Sequence, residues 1–420
     1  MQNTPGGAAS RLAAARLERA QIRADAVRKI PTSTAQSAYG SFWDQGCAAV
    51  AGAPAAGVGS PLQRTKSLDH DSNSAASPAG PFGPGMGEAR SINGDGGSAS
   101  GFELAEIGVP LVPLSSSGAF AVCSKEGALH ENHDRGAAAQ LNDTTFVFAC
   151  LDGHGAEGAT VSGYALRNLL AGCASALGAG KSAADAVNFA FTRTSSTMIH
   201  NVSDCRFSGS TAILTVMQHT GNGRLVTTGW VGDSRAVIAR TRPQAAPRSG
   251  PTPALVPVPL TKDHKPTDPK ERQRLAECRA IVRPSRVINP HTGAWIEVGA
   301  VRVWDTSQIY GVAMSRSLGD MQVHPYLIPT PEVSSRLLDD KDCVLVMATD
   351  GVWDVMDNEE AVTMAAGATP ETTCKEIVDL CAKRWDTQMP GRRDDITTVV
   401  VDLTHADLNK KSFVSSWAPN

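Results

Sequence analysis

Four aspartates each stand where an apolar, strand-like run of the sequence meets a turn. Asp152 follows the run 146–151, Asp233 follows 226–231, Asp350 follows 344–348, and Asp394 precedes 396–401. Gathering such carboxylates is costly, because two unit charges about 4 Å apart repel by roughly 4 kcal/mol at an effective dielectric constant of about 20. A cation must therefore lie among them. Because no Cys-x-x-Cys or His-x-x-x-His pair stands nearby, the expected cation is an oxygen-seeking Mg²⁺ or Mn²⁺ ion rather than Zn²⁺.

The elements that must position these aspartates are predicted as alternating strands and helices. Strand-like runs occur at 120–123, 146–151, 212–217, 226–231, 236–239, 344–348 and 396–401. Helices are predicted at 159–177 and 185–202, and the second carries an apolar stripe at helical spacing, formed by Val187, Phe191, Thr194, Met198 and Val202. We therefore predict one ordered domain over 118–404.

The flanking segments differ in composition from this domain. Residues 1–117 are rich in Ala, Gly, Ser and Pro, which predicts a disordered arm because such a sequence buries too little apolar surface to offset the ordering entropy. A short helix at 11–29 carries an excess of basic residues, so organellar targeting is an alternative for this arm. The proline-rich insert 241–259 is expected to form a surface loop, and 405–420 a polar tail.

Composition excludes several classes of function. The 420-residue chain has a formal net charge of −3, which argues against general binding to nucleic acid or anionic membranes. Hydrophobic residues make up 41%, but they form no run of about 20 that could span a membrane, and no signal-peptide apolar region is present. The nine cysteines are scattered and odd in number, which favours reduced thiols in an intracellular compartment, cytoplasmic or nuclear.

Eight short motifs occur in order along the predicted domain. They are ENHD at 131–134, DGHG at 152–155, SGSTA at 208–212, GDSR at 232–235, LTKDHKP at 260–266, MSRSLGD at 314–320, DGVWD at 350–354 and DDIT at 394–397. As an ordered set they resemble the motifs of the metal-dependent protein serine/threonine phosphatases of the PP2C (PPM) family. The stretch 299–320 is most similar to the plant and protist branch of that family.

The resemblance implies a two-metal site. In this family two metal ions bridge a water that attacks the phosphoryl group, and paired divalent ions lower the pKa of such a water and neutralise charge on the phosphoryl oxygens. The matching ligands here would be Asp152, the carbonyl oxygen of Gly153, Asp350 and Asp394, with Asp134 held through metal-bound water. Gly153 and Gly351 would allow the backbone to approach an ion closely, which a Cβ atom would obstruct.

The resemblance also implies two further roles. A third, looser ion site in relatives maps onto Asp233 and Asp354, although it could equally serve a structural purpose. His154 resembles the family's proposed general acid, since an imidazole with an ordinary pKa of about 6.5 can protonate the departing seryl or threonyl oxygen. Simpler readings stay open: an isolated Asp–Gly turn can bond its own backbone, and Arg235 could pair with Asp233. We assign Asp320 to a structural turn.

Two positions depart from the family pattern. Many relatives carry an arginine five residues before the first acidic ligand to grip the substrate phosphate, whereas this chain has Leu129. Lys125 and Arg135 are nearby substitutes, although each could equally be a surface charge. His133 stands where relatives usually carry Glu or Gln, so the hydrogen bonding around the ion could differ.

The resemblance implies an α+β fold, a four-layer α/β/β/α sandwich with two mostly antiparallel central sheets and the ions at one end. The expected partners are phosphoserine and phosphothreonine proteins, with no nucleic acid and no membrane span, and the expected state is a monomer. A rival hypothesis, motivated by Leu129, is a catalytically silent phosphatase fold that binds a kinase or a phosphoprotein.

Overall fold

The computed structural model describes residues 112–113, 118–242, 255–289, 291–405 and 408. Nearly all of the predicted arm, including the helix at 11–29, lies outside the described residues, as do 243–254 of the insert and most of the predicted tail. Val112 and Pro113 nevertheless pair with a strand of the domain, and Leu408 is buried in its core. The predicted domain boundaries, at 118 and 404, stay predictions.

A six-stranded antiparallel sheet forms one half of the centre of the fold. Its strands, in spatial order, are β1 (Val112–Pro113), β3 (Arg135–Asn142), β4 (Thr145–Leu151), β7 (Ala212–Thr220), β8 (Gly223–Val231) and β15 (Glu332–Leu337). Strands β4 and β7 pair from Thr145 opposite Gln218 to Cys150 opposite Ile213. Both lie inside the sheet, which is why their residues are almost all buried.

A five-stranded antiparallel sheet packs against the first. Its strands, in spatial order, are β10 (Leu255–Pro259), β9 (Arg235–Thr241), β16 (Asp342–Ala348), β17 (Ile396–Asp402) and β2 (Phe120–Lys125). Because successive side chains of a strand point to opposite faces, alternate residues of both sheets meet in one core. This core includes Phe146, Phe148, Ile213 and Trp230 from the first sheet and Ile238, Leu345, Met347, Val399 and Val401 from the second.

Helices cover the outer faces of both sheets. On the first sheet lie α1 (Gly158–Gly178) and α2 (Ala183–Asn201), and on the second lie α5 (Asn358–Met364) and α6 (Pro370–Gln388). Gly229 of β8 carries no side chain because a Cβ atom there would lie 2.2 Å from Val187 of α2. Val237 and Val346 of the second sheet pack with Ile377 of α6. The predicted α/β/β/α sandwich is therefore confirmed.

Smaller elements surround one end of the sandwich. They are α3 (Pro269–Glu277), α4 (Asp350–Trp353), a 3-10 helix (Met321–Val323), a sheet of β11 (Ile281–Ile288), β12 (Trp295–Trp304) and β13 (Gly311–Val312), and a sheet of β5 (Gly153–His154), β6 (Gly209–Ser210) and β14 (Leu318–Gly319). The last sheet brings three of the sequence motifs together. No helix in the part of the chain that the structure describes is long and apolar enough to cross a membrane.

The seven predicted strands and the two predicted helices are confirmed, with Val202 falling just beyond the end of α2. The prediction of a loop over the whole insert 241–259 was wrong at both ends. Thr241 is the last residue of β9, and Leu255–Pro259 forms β10 opposite that strand. A loop was predicted for β10 because this segment contains two prolines. Since β10 is an edge strand, the missing N–H groups need not break its pairing.

Candidate active site

Four predicted metal ligands lie at the ends of paired strands. Asp134 and Asp152 directly flank the last pair of the β3–β4 ladder, Arg135 opposite Leu151. Asp350 follows β16 and Asp394 precedes β17, close to the last pair of that ladder, Ala348 opposite Thr398. Asp134, Asp152 and Asp350 are buried, and Asp394 is partly buried.

Thr349 joins the two sheets at this end of the sandwich. Its hydroxyl group donates a hydrogen bond to Oδ2 of Asp134 at 2.8 Å and accepts one from the Thr397 amide at 3.1 Å. Its own amide donates to the carbonyl oxygen of Thr397 at 3.1 Å. One buried side chain therefore connects the residue before Asp350, the start of β17 and the carboxylate of Asp134.

Asp395 positions the loop that carries Asp134. Its buried carboxylate accepts hydrogen bonds from the Gly127 amide at 2.6 Å and from the His133 amide at 2.7 Å. These two bonds tie both ends of the segment 127–133 to the residue that follows Asp394. The motif at 394–397 thus supplies a carboxylate that orients another part of the acidic site.

The Asp134 carboxylate carries an uncompensated electrostatic cost. Its side chain is only 3% exposed, and its Oδ1 atom has no hydrogen-bond donor at bonding distance among the described residues. Burial and repulsion by Asp395 raise its pKa well above the ordinary value, although the Thr349 hydrogen bond opposes the shift. Asp394 repels it as well. A divalent cation, or water bound to one, would offset this cost.

The donor set fits a hard cation. Carboxylate and backbone carbonyl oxygens are the ligands that Mg²⁺ and Mn²⁺ prefer, and the buried Oδ1 atom of Asp134 is such a donor. Among the residues that the structure describes, no three His, Cys, Asp or Glu side chains meet closely enough to enclose an ion as they stand.

The two glycines of the site are required by contacts within the protein. A Cβ atom on Gly153 would lie 2.3 Å from the carbonyl oxygen of Gly158 and 2.8 Å from that of His133. A Cβ atom on Gly351 would lie 1.9 Å from the carbonyl oxygen of Asp395. Close packing of these backbone segments is thus sufficient to explain both glycines, apart from any approach to an ion.

His154 forms a buried pair with Asp320. Its Nε2 atom lies 3.0 Å from Oδ1 and 2.9 Å from Oδ2 of Asp320. The Nδ1 atom of His154 is also buried and has no hydrogen-bond partner among the described residues. With Nε2 donating to the carboxylate, Nδ1 is the ring nitrogen that remains for a further hydrogen bond. The assignment of Asp320 to the turn alone was therefore incomplete.

The Asp320 carboxylate is held by several donors. Ser317 donates to Oδ2 at 2.5 Å, and the hydroxyl group of Tyr310 donates to Oδ1 at 2.8 Å. Burial opposes ionisation of Asp320, but the charge of His154 and the hydrogen bonds from His154, Ser317 and Tyr310 outweigh it and lower the pKa. Gly209 lies against this pair, since a Cβ atom there would be 2.3 Å from Oδ2 of Asp320 and 2.7 Å from Nε2 of His154.

Asp233 and Asp354, the residues predicted to bind a third ion, interact with charged side chains outside the main acidic site. Asp233 forms an ion pair with Lys265, whereas Arg235 binds Asp263 through two nitrogen atoms, at 2.9 and 2.8 Å. Burial lowers the pKa of Arg235, but the hydrogen bonds to Asp263 raise it. The charges of Asp233 and Asp354 raise it as well, so that the net shift is upward. The predicted alternative, a pair between Asp233 and Arg235, is therefore not the contact formed.

Both cations named as substitutes for a phosphate-binding arginine make contacts with other parts of the protein. Leu129 is 52% exposed, Lys125 faces Asp379 at 3.7 Å, and the guanidinium of Arg135 donates to backbone carbonyl oxygens, including those of Asn132 and Asp134. His133 is buried, with its ring stacked on that of His130 at 4.1 Å between centroids.

Comparison with known proteins identifies the domain. The family model described as Protein phosphatase 2C matches residues 118–388. The chain belongs to the protein phosphatase 2C family. The resemblance inferred from the motifs is therefore confirmed.

Two curated relatives with clear similarity to the chain come from plants. The chain is 38% identical over 206 residues to "Probable protein phosphatase 2C 12" of Oryza sativa subsp. japonica, a match that covers 48% of this chain and 47% of the relative. It is 34% identical over 221 residues to "Probable protein phosphatase 2C 33" of Arabidopsis thaliana, covering 52% and 41%. The chain thus spans half or less of the length of these relatives.

A solved structure shares the protein phosphatase 2C fold. The serine-threonine phosphatase 2C from Toxoplasma gondii superimposes with a TM-score of 0.55 at 21% identity, and the match covers 70% of this chain and 98% of that one. At this identity the likeness concerns the fold alone.

Sequence reasoning missed three residues that organise the site of this protein phosphatase 2C domain. Thr349 and Asp395 adjoin predicted ligands, so their position beside Asp350 and Asp394 was the available signal. Asp320 lies in a quoted motif, but its pairing with His154 depends on the small sheet β5–β6–β14. Strands of two residues have no periodic pattern that a sequence could display.

Proposed function

We propose that this chain hydrolyses phosphoserine and phosphothreonine esters of proteins, using two divalent ions, Mg²⁺ or Mn²⁺, held by Asp134, Asp152, Gly153, Asp350 and Asp394. The observation that carries the proposal is the buried, repelled carboxylate of Asp134, linked through Thr349 to the residue before Asp350. A protein keeps such a carboxylate when a cation offsets its cost.

The chain's own residues bind the ions and order the site. When bound, such ions lower the pKa of a water molecule and neutralise charge that develops on the phosphoryl oxygens. Asp152, Asp350 and Asp394 would supply carboxylate oxygens to the ions, Gly153 would supply its carbonyl oxygen, and Asp134 would act through water. Thr349 and Asp395 hold Asp134 in place, because each fixes it or its loop by hydrogen bonds.

His154 donates the proton that the departing oxygen requires. Asp320 accepts a hydrogen bond from Nε2, which leaves the proton on Nδ1 of the imidazolium for the leaving seryl or threonyl oxygen. After the transfer His154 is neutral, with its remaining proton still directed to Asp320. The Asp320 carboxylate thereby orients the ring and stabilises its charged form.

A third ion site at Asp233 and Asp354 is part of the proposal. The ion pair between Asp233 and Lys265 means that a cation there competes with an ammonium group. Occupancy of this site should therefore require more metal than occupancy of the main pair, and it should rise in Lys265→Met. Isothermal titration of Mn²⁺ into both proteins measures this directly.

The rival function is a silent phosphatase fold that binds a phosphoprotein or a kinase. Leu129 motivates it, since Lys125 and Arg135 engage Asp379 and backbone carbonyl oxygens respectively. This hypothesis predicts phosphopeptide binding without phosphate release.

Phosphate release from a phosphothreonine peptide in Mn²⁺ tests the proposal. We expect release by the purified chain, its loss on chelation, and its loss in Asp152→Asn. Asp143→Asn is the matched control, because Asp143 is exposed in the turn at the opposite end of the β3–β4 hairpin, and it should keep full activity. Absence of release above the metal-free background would support the rival function.

We place the activity in residues 118–404 of a monomer, inside the cell, with residues 1–117 governing location or partner choice. A variant that lacks residues 1–101 should turn over a small aryl phosphate at nearly the rate of the full chain. Loss of most of that turnover would show that the arm contributes to the site.

A further inference from the structure

Two cysteines from distant parts of the sequence meet beneath α6. Cys123 lies on β2 and is partly exposed, and Cys374 lies near the start of α6 and is buried. Cys123 packs against the apolar cluster between the second sheet and its outer helices, which includes Ile377 and Cys381 of α6. A disulfide between them requires the two sulfur atoms of Cys123 and Cys374 to approach to bonding distance.

Backbone contacts fix the position of Cys374 independently. Its Sγ atom lies 3.1 Å from the carbonyl oxygen of Thr398 and 3.7 Å from that of Ala121. Thr398 is the register partner of Cys123 in the β2–β17 ladder, and Ala121 precedes Cys123 by two residues on β2. The sulfur of Cys374 is therefore held over the strand pair at the position of Cys123.

We propose that Cys123 and Cys374 form a reversible disulfide when the folded protein meets a hydroperoxide. The inference does not depend on the proposed phosphatase activity, because it concerns only the thiols and their surroundings.

The two thiols differ in the way the reaction requires. The neighbouring Cys374 thiol lowers the pKa of Cys123, although burial and nearby carboxylates oppose the shift. Burial raises the pKa of Cys374 well above the ordinary value. Cys123, which is partly exposed, is thus the thiol that reacts first, and Cys374 is the thiol that resolves the product.

Other described cysteines lack this arrangement. Burial raises the pKa of both Cys173 and Cys381 to about 12, and it raises that of Cys205 to about 11. A buried thiol that stays protonated is a poor nucleophile. Cys278 is exposed and provides an internal comparison for simple accessibility.

The chemistry balances with one hydroperoxide. The Cys123 thiolate attacks a peroxide oxygen, the O–O bond breaks, and Cys123 becomes a sulfenic acid while hydroxide takes up the thiol proton and leaves as water. The sulfur of Cys374 then attacks Cys123, the S–O bond breaks, and the hydroxyl group leaves as water with the proton of Cys374. Two thiols are oxidised to a disulfide, and one hydrogen peroxide is reduced to two waters.

The bond would form next to the acidic site. One residue after Cys123, the hydroxyl groups of Ser124 and Thr397 are hydrogen-bonded at 2.7 Å, and Gly127 then donates to Asp395. A disulfide would thus join α6 to the strand pair from which Asp394 and Asp395 extend. It would covalently link β2, an edge strand of the second sheet, to the outer helix α6.

Peptide mapping of the full chain tests the proposal. The reduced, folded protein is treated with hydrogen peroxide, remaining thiols are alkylated, and the digest is analysed by mass spectrometry without reduction. We expect a linked peptide pair containing Cys123 and Cys374 that disappears on treatment with dithiothreitol. The pair should also form in Cys278→Ser and be absent in Cys123→Ser.

Two outcomes would overturn the proposal. In the first, Cys123 and Cys374 are both still alkylated, and therefore unoxidised, after a peroxide treatment that has oxidised Cys278. Reactivity would then follow accessibility alone. The other is an equal yield of the pair when the oxidation is carried out in urea, since the fold would then not direct the reaction. Wild-type protein suffices for both measurements, so a folding defect in a variant does not affect them.

Discussion

The Nε2 atom of His154 lies 2.9 Å from Oδ2 of Asp320, and both side chains are buried. The pair unites two motifs that are far apart in the sequence, and its acidic member is supported by Ser317 and Tyr310. In the proposed mechanism, this arrangement makes Asp320 a positioning residue for the general acid His154 rather than a residue that contacts the substrate.

Replacing Asp320 by Asn should slow hydrolysis most where the leaving group needs a proton. A general acid contributes about 10²- to 10⁴-fold, so we expect at least about a 100-fold loss of kcat on a phosphothreonine peptide. The loss on an aryl phosphate should be much smaller, because an aryl oxide leaves without a proton. Tyr310→Phe, which removes one donor to Asp320, should give an intermediate loss. Equal losses on both substrates would indicate a merely structural role.

Gly209→Ala should disrupt the pair of His154 and Asp320 by a steric clash. The added Cβ atom would lie 2.3 Å from Asp320 and 2.7 Å from His154, so the two side chains must separate. We expect the substrate-dependent loss of activity described for Asp320→Asn, with a cost in stability of about 1–3 kcal/mol. Gly221→Ala is the control, since a Cβ atom there meets nothing within 4 Å. Normal peptide turnover in Gly209→Ala would contradict the predicted geometry.

Thr349→Val should weaken both the fold and metal binding. The substitution removes the hydroxyl group that donates to Asp134 and accepts from Thr397, and loss of such a bond to a charged group costs about 2 kcal/mol. Urea unfolding should show this decrease, and calorimetry should show weaker Mn²⁺ binding. The control is Thr398→Val, because the Thr398 hydroxyl group is buried without a hydrogen-bond partner among the described residues. A similar loss in both variants would argue against the role given to Thr349.

Stability should fall in mild acid because of His264. Burial, together with the charge of Arg316, lowers the pKa of His264 to about 4, while Nδ1 accepts a hydrogen bond from the Gly232 amide. The unfolded chain binds the proton more readily, so this contribution is fully present above about pH 6.5 and is lost as the pH falls towards 4, up to about 3 kcal/mol.

The variant His264→Asn separates this contribution from others. Its amide oxygen can accept the bond from Gly232 but does not titrate. Unfolding free energies in chelator, measured at pH 7.5 and 4.5, should fall by about 2–3 kcal/mol more in the wild type than in the variant. The raised pKa of Asp134 acts in the opposite direction, but it does so in both proteins. Parallel pH profiles would exclude His264 as the cause.

Arg316 should stabilise the fold rather than bind phosphate. It belongs to the motif at 314–320, but its guanidinium group pairs with the buried carboxylate of Glu271, whose pKa is lowered to about 2 by Arg316 and Arg274 against the effect of burial. Arg316→Met should cost about 3 kcal/mol, because it leaves a buried charge with less compensation. The double variant Arg316→Met, Glu271→Leu should recover part of this loss in urea unfolding. A double variant no more stable than the single one would count against the pair.

Much of the fold follows from local sequence, since strands in the middle of a sheet are long apolar runs. The position of the acidic site follows too, because the predicted ligands stand at strand ends. Strand β3 was missed because its alanines favour no strand, and its pairing with β4 decides its conformation. Strand β10 was missed because its two prolines are tolerated only at the sheet edge.

Contacts between side chains from distant segments were not predictable. The pairs of Asp233 with Lys265 and of His154 with Asp320 depend on how loops meet at the end of the sandwich. The ion pair of Arg235 was also not predictable from local sequence. The nearby Asp233 was the expected partner, whereas the observed partner is Asp263. Local patterns fix which residues lie at this end, whereas the packing of the sheets fixes which of them touch.

Strand β17 lies between β16 and β2, and its pairing with β2 sets Ile396 opposite Lys125. The ladder joins a strand near the beginning of the domain to one near its end, so this contact must form across a very long loop of chain. During synthesis on the ribosome, β2 therefore has no β17 to pair with until almost the whole domain has been made. A nascent chain that stops before Asp394 therefore has neither the β2–β17 ladder nor the last carboxylate of the acidic site.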